Sequence, residues 1–346
     1  MKKFKRHKDY GFFDQDIRLS KLSKLGDPLE KLNQGVDFEA FRKLLESGLE
    51  PTTKGRGGRP PYDYVLMFKI LILQRYYNLS DEQVEFQIND RMSFMRFLDL
   101  TIADDIPDSR TVWVFREKIT DLGLVEKLFD LFLSQLEGLG LVVNEGKIID
   151  ASFIEVPRQR NSRLENKQIK EGEVPDSISK NPHIKAQKDT DARWTKKNNV
   201  NYFGYKNHVK TDSKSKIITK YMVTDASVHD SQAIEALLDE KDEGEDFFAD
   251  SAYTGEAHEK TIDSKNMKNK VCQKGYRNKP LTKAQIASNK EKSRIRSRVE
   301  HIFGFMENSM NDMFINCIGL KRSTATIGLM NLTYNMYRKI QIAANQ

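Results

Sequence analysis

The chain has 346 residues, of which 57 are Lys or Arg and 50 are Asp or Glu, so its net charge is +7. An excess of this sign favours a polyanionic partner such as nucleic acid. Two cysteines, Cys272 and Cys317, exclude a disulfide-built scaffold and a cysteine-based zinc site, and they suit a reducing cytoplasm. The most apolar run, residues 65–73, contains Lys69 and is too short to span a bilayer, so we expect no membrane segment.

Residues 1–63 form a polar, basic N-terminal segment with short helical patterns such as FEAFRKLLESGL. It ends in KGRGGRPPYD, whose glycines and prolines oppose regular structure. Arg56 and Arg59 in this stretch could follow a phosphate backbone or enter a minor groove. A plain linker between two folded parts is the alternative interpretation.

Residues 64–140 have a helical pattern. The run VLMFKILILQRYY is apolar nearly all round and predicts a buried helix. The pair Ser80 and Gln83 has the spacing of a capping box that opens the next helix, and a further helix should begin near Asp108.

The third of these helices carries exposed basic residues in PDSRTVWVFREKI. Short helices joined by turns could form a helix-turn-helix reader, with Arg110 and Arg116 facing DNA. A structural helical bundle with a basic surface is equally compatible with this pattern.

The periodicity changes after residue 140. Strands are predicted at KIIDASFI, HVKTD, KIITKYMVTDAS, FFADSAY and NKVCQK, with the helix HDSQAIEALLD between the third and the fourth. Such an order predicts an α/β sheet with mixed pairing. The polar insert at about 155–200 has too few apolar residues to bury a core, and we expect a mobile loop there.

Three acidic residues stand beside different structural signals. Asp150 and Asp250 each end an apolar run, and Glu300 lies in the arginine-rich helical pattern RIRSRVEHIFGF. A carboxylate that closes a buried strand must be paired, neutralised or bound to a metal, because an isolated charge there costs too much. These acids therefore predict a hard-cation site assembled from distant parts of one domain.

The charges around this predicted site alternate in blocks. Residues 185–220 hold ten basic and three acidic residues, and residues 260–300 hold thirteen and three. Residues 224–259, by contrast, hold one Lys and twelve acids. Basic blocks that flank an acidic centre are expected where DNA passes over a carboxylate site.

Two stretches supply further candidates for contacts with DNA. In YFGYKNHVKTD, strand periodicity places Lys206, His208 and Lys210 on one face, and we expect that face to meet DNA. In the helix that carries the glutamate, Arg296 lies one turn before Glu300, where it could orient that carboxylate or bind phosphate. Arg298 on the same helix is a third basic candidate.

The order of these motifs resembles that of bacterial DDE transposases of the insertion sequence five family. The resemblance runs through IIDASFIEVP, YFGYKNHVKTD, VTDASVHDSQAIEALLD, FFADSAYTG and RIRSRVEHIFGF, and upstream through GRPPYD, YYNLSDEQVEFQINDRMSFMRFLDL and IPDSRTVWVFR. It covers most of residues 55–340. It implies an α/β fold in which an RNase H-like mixed sheet with flanking helices, residues 141–346, follows an all-α N-terminal DNA-binding domain, residues 64–140.

The resemblance also implies a catalytic and metal-binding triad of Asp150, Asp250 and Glu300. Its cofactor would be Mg2+, with two ions and with Mn2+ as a substitute, and Asp150 would bridge them. The family places a tyrosine and an arginine before the glutamate and a lysine seven positions after it. Arg296 matches, but Ser293 and Glu307 stand at the tyrosine and lysine positions.

We therefore expect a transposase that binds the terminal inverted repeats of its element, cuts the 3' ends and joins them to target DNA. Its partners would be double-stranded DNA and a second copy of the chain in a synaptic dimer, in the cytoplasm at the nucleoid. Two alternatives remain open: a hydrolytic nuclease of the same fold without strand transfer, and a transposase-derived DNA-binding regulator. Joining of pre-cut ends separates the first alternative from a transposase.

Overall fold

The computed structural model describes residues 11–49, 60–276 and 280–345, so Arg56 and Arg59 lie outside the described residues. The first part of the described chain is helical. Its helices are α1 (Asp14–Lys24), α2 (Pro28–Gly35), α3 (Arg42–Leu49), α4 (Tyr64–Tyr76), α5 (Asp81–Asp90), α6 (Met92–Phe97), α7 (Ser109–Asp121) and α8 (Leu124–Gly138), with a 3-10 turn at Glu39–Phe41.

Local sequence signals determine where these helices begin. Asp63 caps α4, whose residues 67–74 are all buried, which confirms the predicted buried helix. Ser80 and Gln83 form the predicted capping box at the start of α5. Asp108 caps α7 by accepting a hydrogen bond from the backbone N–H of Thr111.

The second part of the chain is built on a six-stranded sheet. Its strands are β1 (Gly146–Glu155), β2 (Arg193–Lys197), β3 (Val200–Asp212), β4 (Ile218–Asp225), β5 (Asp246–Phe248) and β6 (Lys268–Asn269). Its helices are α9 (Arg163–Lys170), α10 (Asp176–Ser179), α11 (Pro182–Lys185), α12 (Ile234–Leu237), α13 (Glu256–Ser264), α14 (Lys283–Arg296), α15 (Glu300–Ser309) and α16 (Leu320–Ala343). Short 3-10 turns lie at Asp230–Ala233, Glu240–Asp242, Ser251–Tyr253 and Ser297–Val299.

The sheet has mixed pairing, as the sequence predicts. On one side β1 pairs antiparallel with β3, and on the other it pairs parallel with β5, which in turn pairs parallel with β6. The long strand β3 has two further antiparallel partners, β2 along its first residues and β4 along the rest. Strand β1 therefore lies in the interior of the sheet.

The prediction of a mobile loop at about 155–200 is wrong. This segment forms β2 and the short helices α9, α10 and α11, and it buries Ile169 and Ile178. Gln159 exchanges two hydrogen bonds with the backbone of Asp189, at 2.6 and 2.7 Å. The carboxylate of Asp189 accepts from the hydroxyl of Tyr205 on β3 at 2.7 Å, so the insert is fixed to the sheet.

One hydrophobic core joins the N-terminal helices to the sheet. It includes Phe68 of α4, Phe132 of α8, Ile148 of β1 and Leu329 of α16, all 1% exposed or less. A smaller core on the opposite face of the sheet contains Ile149 and α12. Among the described residues, the N-terminal helices share one core with the sheet, and α16 packs between the two parts.

Helix α16 is buried on all sides from Ala325 to Tyr337, and several of its polar side chains have partners inside the protein. Asn331 and Asn207 of β3 exchange side-chain hydrogen bonds of 2.8 and 3.1 Å. Although α16 has 24 residues, no described helix is both long enough and apolar enough to cross a membrane.

Candidate active site

The pairing of β1 with β5 places two aspartates side by side. Ile148 of β1 is in register with Phe248 of β5, and the two strands are parallel. Asp150 and Asp250 each follow that pair by two residues, so both lie next to the paired ends of adjacent strands, and the carboxylate of Asp250 is close enough to raise the pKa of Asp150. Beyond the end of β5, Asp250 caps the 3-10 turn by accepting from the N–H of Ala252 at 2.8 Å.

Asp150 lies in a desolvated position, with 17% of its side chain exposed. Burial raises the pKa of this carboxyl to about 6, against the opposing effects of the Ala151 N–H and the Arg296 guanidinium. The neighbouring carboxylate of Asp250 contributes to the increase. A raised pKa in the middle of a buried strand indicates that negative charge here is held at a cost that an added cation would relieve.

Glu300 belongs to the helical layer and is linked to Asp150 through Arg296. It is the first residue of α15, which the buried residues Val299, Ile302 and Met306 anchor to the core, and its side chain is 63% exposed. The glutamate stands at the junction with α14, where the chain makes a 3-10 turn.

Arg296 connects the first strand to the glutamate. Its Nη1 lies 3.0 Å from Oδ2 of Asp150, and its Nη2 lies 3.1 Å from Oε1 of Glu300. The pairing with Glu300 follows the predicted spacing of one helical turn. The contact with Asp150 joins residues 146 positions apart, and it is this contact that brings the helix to the sheet at the candidate site.

The donor chemistry suits a hard divalent cation, because Asp150, Asp250 and Glu300 offer only carboxylate oxygens. In the described ranges, however, no three His, Cys, Asp or Glu side chains are arranged closely enough to hold a metal ion. The guanidinium of Arg296 lies between Asp150 and Glu300 and supplies positive charge at that point. A metal ion held by all three acids therefore requires Arg296 to move aside.

The expectation that Lys206, His208 and Lys210 face DNA is wrong. Lys206 bonds Asp230 at 2.7 Å, and Lys210 bonds Asp242 at 2.7 Å, with both lysines buried. Burial lowers the pKa of His208 to about 4, so this side chain is neutral at pH 7 and offers no charge to a phosphate. The segment from residue 230 to 242 covers this face of β3.

The other predicted basic contacts fall into two groups. Arg110 is exposed at the start of α7, where DNA can reach it. Arg116 does not face outward as expected, because it forms a two-pronged salt bridge with Asp81 at 2.6 and 2.8 Å, and Arg298 is half-buried and donates to the carbonyl of Ser213 at 2.7 Å.

An aromatic surface lies on β1 and β3, with a cation from β2 beside it. The rings of Phe153 and Tyr202 stack with a centroid distance of 4.2 Å and an angle of 11°. The ammonium group of Lys197 lies 5.6 Å from the centre of the Phe153 ring and close enough to Asp150 to lower the pKa of that carboxyl. The sequence pattern contains neither the strand β2 nor its register with β1 and β3, so it cannot place Phe153, Tyr202 and Lys197 together.

Two family models match this chain. The model described as "Transposase DDE domain" matches residues 143–336, a range that contains Asp150, Asp250 and Glu300. The model described as "Transposase domain (DUF772)" matches residues 17–118, which span α1 to most of α7. No solved structure matches the chain.

Proposed function

The chain belongs to the family of transposases with a DDE domain, and on that premise we propose that it moves an insertion sequence of the insertion sequence five type. It binds the terminal inverted repeats of the element, cleaves the 3' ends and joins them to target DNA. The observation that carries this proposal concerns the three acids. Asp150 and Asp250 each lie two residues after the paired residues Ile148 and Phe248 of β1 and β5, and Arg296 links Asp150 to Glu300.

The sheet supports an RNase H-like description of the catalytic part. Three antiparallel strands, β1, β3 and β4, are followed in sequence by the parallel strands β5 and β6, with Asp150 within β1 and Asp250 just beyond β5. The additional strand β2 belongs to the insert. We assign the role of metal ligands to Asp150, Asp250 and Glu300.

This family generally uses divalent metal ions. When bound, Mg2+ supplies charge that stabilises the attacking and leaving oxygens at the phosphate, and Mn2+ is its expected substitute. Asp150 within β1 and Asp250 just beyond β5 would hold this charge, and Glu300 would contribute its carboxylate from the exposed side. Arg296, once displaced from the carboxylates, is placed to bind a phosphate oxygen of the DNA.

Helix α14 is proposed to lie along the DNA. It is a regular helix with no buried residue, and Lys283, Lys290 and Arg294 on it are exposed. A helix of this kind gains little from packing against its own protein. The helix ends at Arg296, which contacts Asp150 and Glu300. DNA bound along its basic side chains would therefore extend to the carboxylates.

We propose that Arg110 and the N-terminal helices recognise the element ends, and that two copies of the chain hold two ends together at the nucleoid. The test is a labelled duplex taken from the DNA that flanks the coding region, incubated with the full chain and Mg2+. We expect one nick at the 3' boundary of the inverted repeat. Cleavage at scattered positions, or equal cleavage of unrelated DNA, would favour a hydrolytic nuclease.

A further inference from the structure

A cavity of about 410 Å³ lies between the N-terminal helices and the segment that leads into α16, away from the carboxylates. The end of α4, the start of α5 and one side of α7 form its first wall. Residues 316–318, with Arg322 and Thr326 of α16, form the other. It is large enough for a small ligand.

Two of the arginines in this cavity are neutralised within the protein. Arg116 forms the salt bridge with Asp81, which also accepts from Gln74 at 2.7 Å. Arg322 pairs with Glu117 at 2.7 Å. The charges of these two pairs cancel, so they leave no net charge to attract a ligand.

Arg75, the other arginine that lines the cavity, is not neutralised by an ion pair in the described part of the chain. It lines the cavity from the last turn of α4, yet no residue in the described part of the chain accepts a hydrogen bond from its guanidinium or pairs with it. Burial lowers the pKa of Arg75, and the neighbouring charge of Arg116 acts in the same direction. Asp81, the nearest carboxylate in the cluster, already serves Arg116 with both oxygens.

The guanidinium nitrogens of Arg75 are open to solvent, so an anion that enters the cavity can pair with them in place of water. A planar ring stands in the same wall, since Trp113 of α7 lines the cavity and is 44% exposed. A guanidinium without a protein partner and an accessible indole that line one cavity have the chemistry for a phosphate together with a base, the first by paired hydrogen bonds and the second by stacking.

We propose that this cavity binds one nucleotide unit, with its phosphate on Arg75 and its base against Trp113. The proposal rests on the proposed function only for the source of the nucleotide, which would be the DNA that the protein handles. A free nucleotide presents the same chemistry. A nucleotide in this cavity would contact both the N-terminal helices and the segment before α16.

The test uses the two tryptophans of the chain, Trp113 and Trp194. In a Trp194→Phe background, the fluorescence of Trp113 reports the cavity alone. The full chain, without divalent cation, is titrated with inorganic phosphate, with dAMP and with a single-stranded oligonucleotide. Saturable quenching by dAMP and by the oligonucleotide is expected, and tighter binding of the oligonucleotide identifies DNA as the source.

Arg75→Met is expected to weaken this binding at least about tenfold, as the loss of a charge-assisted phosphate contact does. The matched control is Lys118→Met, which removes one positive charge from an exposed position of α7 outside the cavity and should leave binding unchanged. Binding that survives Arg75→Met, equal losses in both variants, or no quenching by any of the three probes would overturn the proposal.

A thermal melt separates a ligand contact from a structural one. Because Arg75 has no protein partner among the described residues, Arg75→Met should not lower the Tm, whereas dAMP should raise the Tm of the parent protein only. A lower Tm for Arg75→Met without ligand would instead show a structural role. Neither readout uses cleavage, so failure to cut DNA would count against the proposed function and not against this site.

Discussion

Neutralising Asp150 should stabilise the metal-free protein and abolish DNA cleavage and joining. The difference between a pKa of about 6 in the folded protein and 3.8 in the unfolded chain corresponds to about 3 kcal/mol. The folded state binds the proton more tightly, so the free energy of unfolding falls as pH rises through that interval and remains lower above it. Asp150→Asn has no such loss, and its advantage should grow from near zero at pH 4 to about 3 kcal/mol above pH 7.

The assay is urea denaturation of the metal-free protein at several pH values, with the free energy of unfolding compared between the two proteins. Glu300→Gln is the matched control, because that carboxylate is mostly exposed and its neutralisation should change stability little at any pH. Added Mg2+ should then stabilise the parent more than Asp150→Asn. An Asp150→Asn protein that is less stable than the parent at pH 7 without metal would refute the reasoning.

Four further substitutions test the assignments of basic and acidic side chains. Lys210→Met should cost about 3–5 kcal/mol in urea denaturation, because it leaves Asp242 buried without its partner, and an unchanged midpoint would contradict that pairing. Glu307→Lys changes an exposed residue, so the fold should be retained and the salt dependence of DNA binding should steepen by about one phosphate contact; lost folding would show that the acid has a partner of its own. Arg110→Ala should reduce that salt slope by about one, whereas Arg116→Ala should chiefly lower the Tm, and the reverse pattern would exchange their roles.

Local patterns predicted the features that depend on neighbouring residues. The capping box at Ser80, the helix start at Asp108 and the buried helix α4 follow from short-range geometry and periodicity, and the structure has all three. Asp150 was predicted at the end of an apolar run and lies within β1, while Asp250 lies just beyond β5. Their alignment depends on the parallel pairing of β1 with β5, which no local pattern contains.

Partners that are distant in sequence explain the wrong predictions. The alternation of Lys206, His208 and Lys210 is typical of a half-exposed strand, but acids from residues 230–242 cover that face. Those acids belong to the block that was interpreted as the acidic centre of a DNA site. Some of these acids therefore neutralise buried lysines of β3. A count of charges along the sequence cannot distinguish such internal ion pairs from acids that surround a DNA site.

The joining of pre-cut ends tests the central claim most directly. A duplex that ends at the 3' terminus of the inverted repeat is incubated with a circular target, the full chain and Mg2+, and joined molecules are counted by sequencing. We predict joined products for the parent protein, none without divalent cation, and none for Asp250→Asn. Joined products from Asp250→Asn, or release of hydrolysed ends without any joining by the parent, would contradict the assignment of this chain as a transposase that uses these carboxylates.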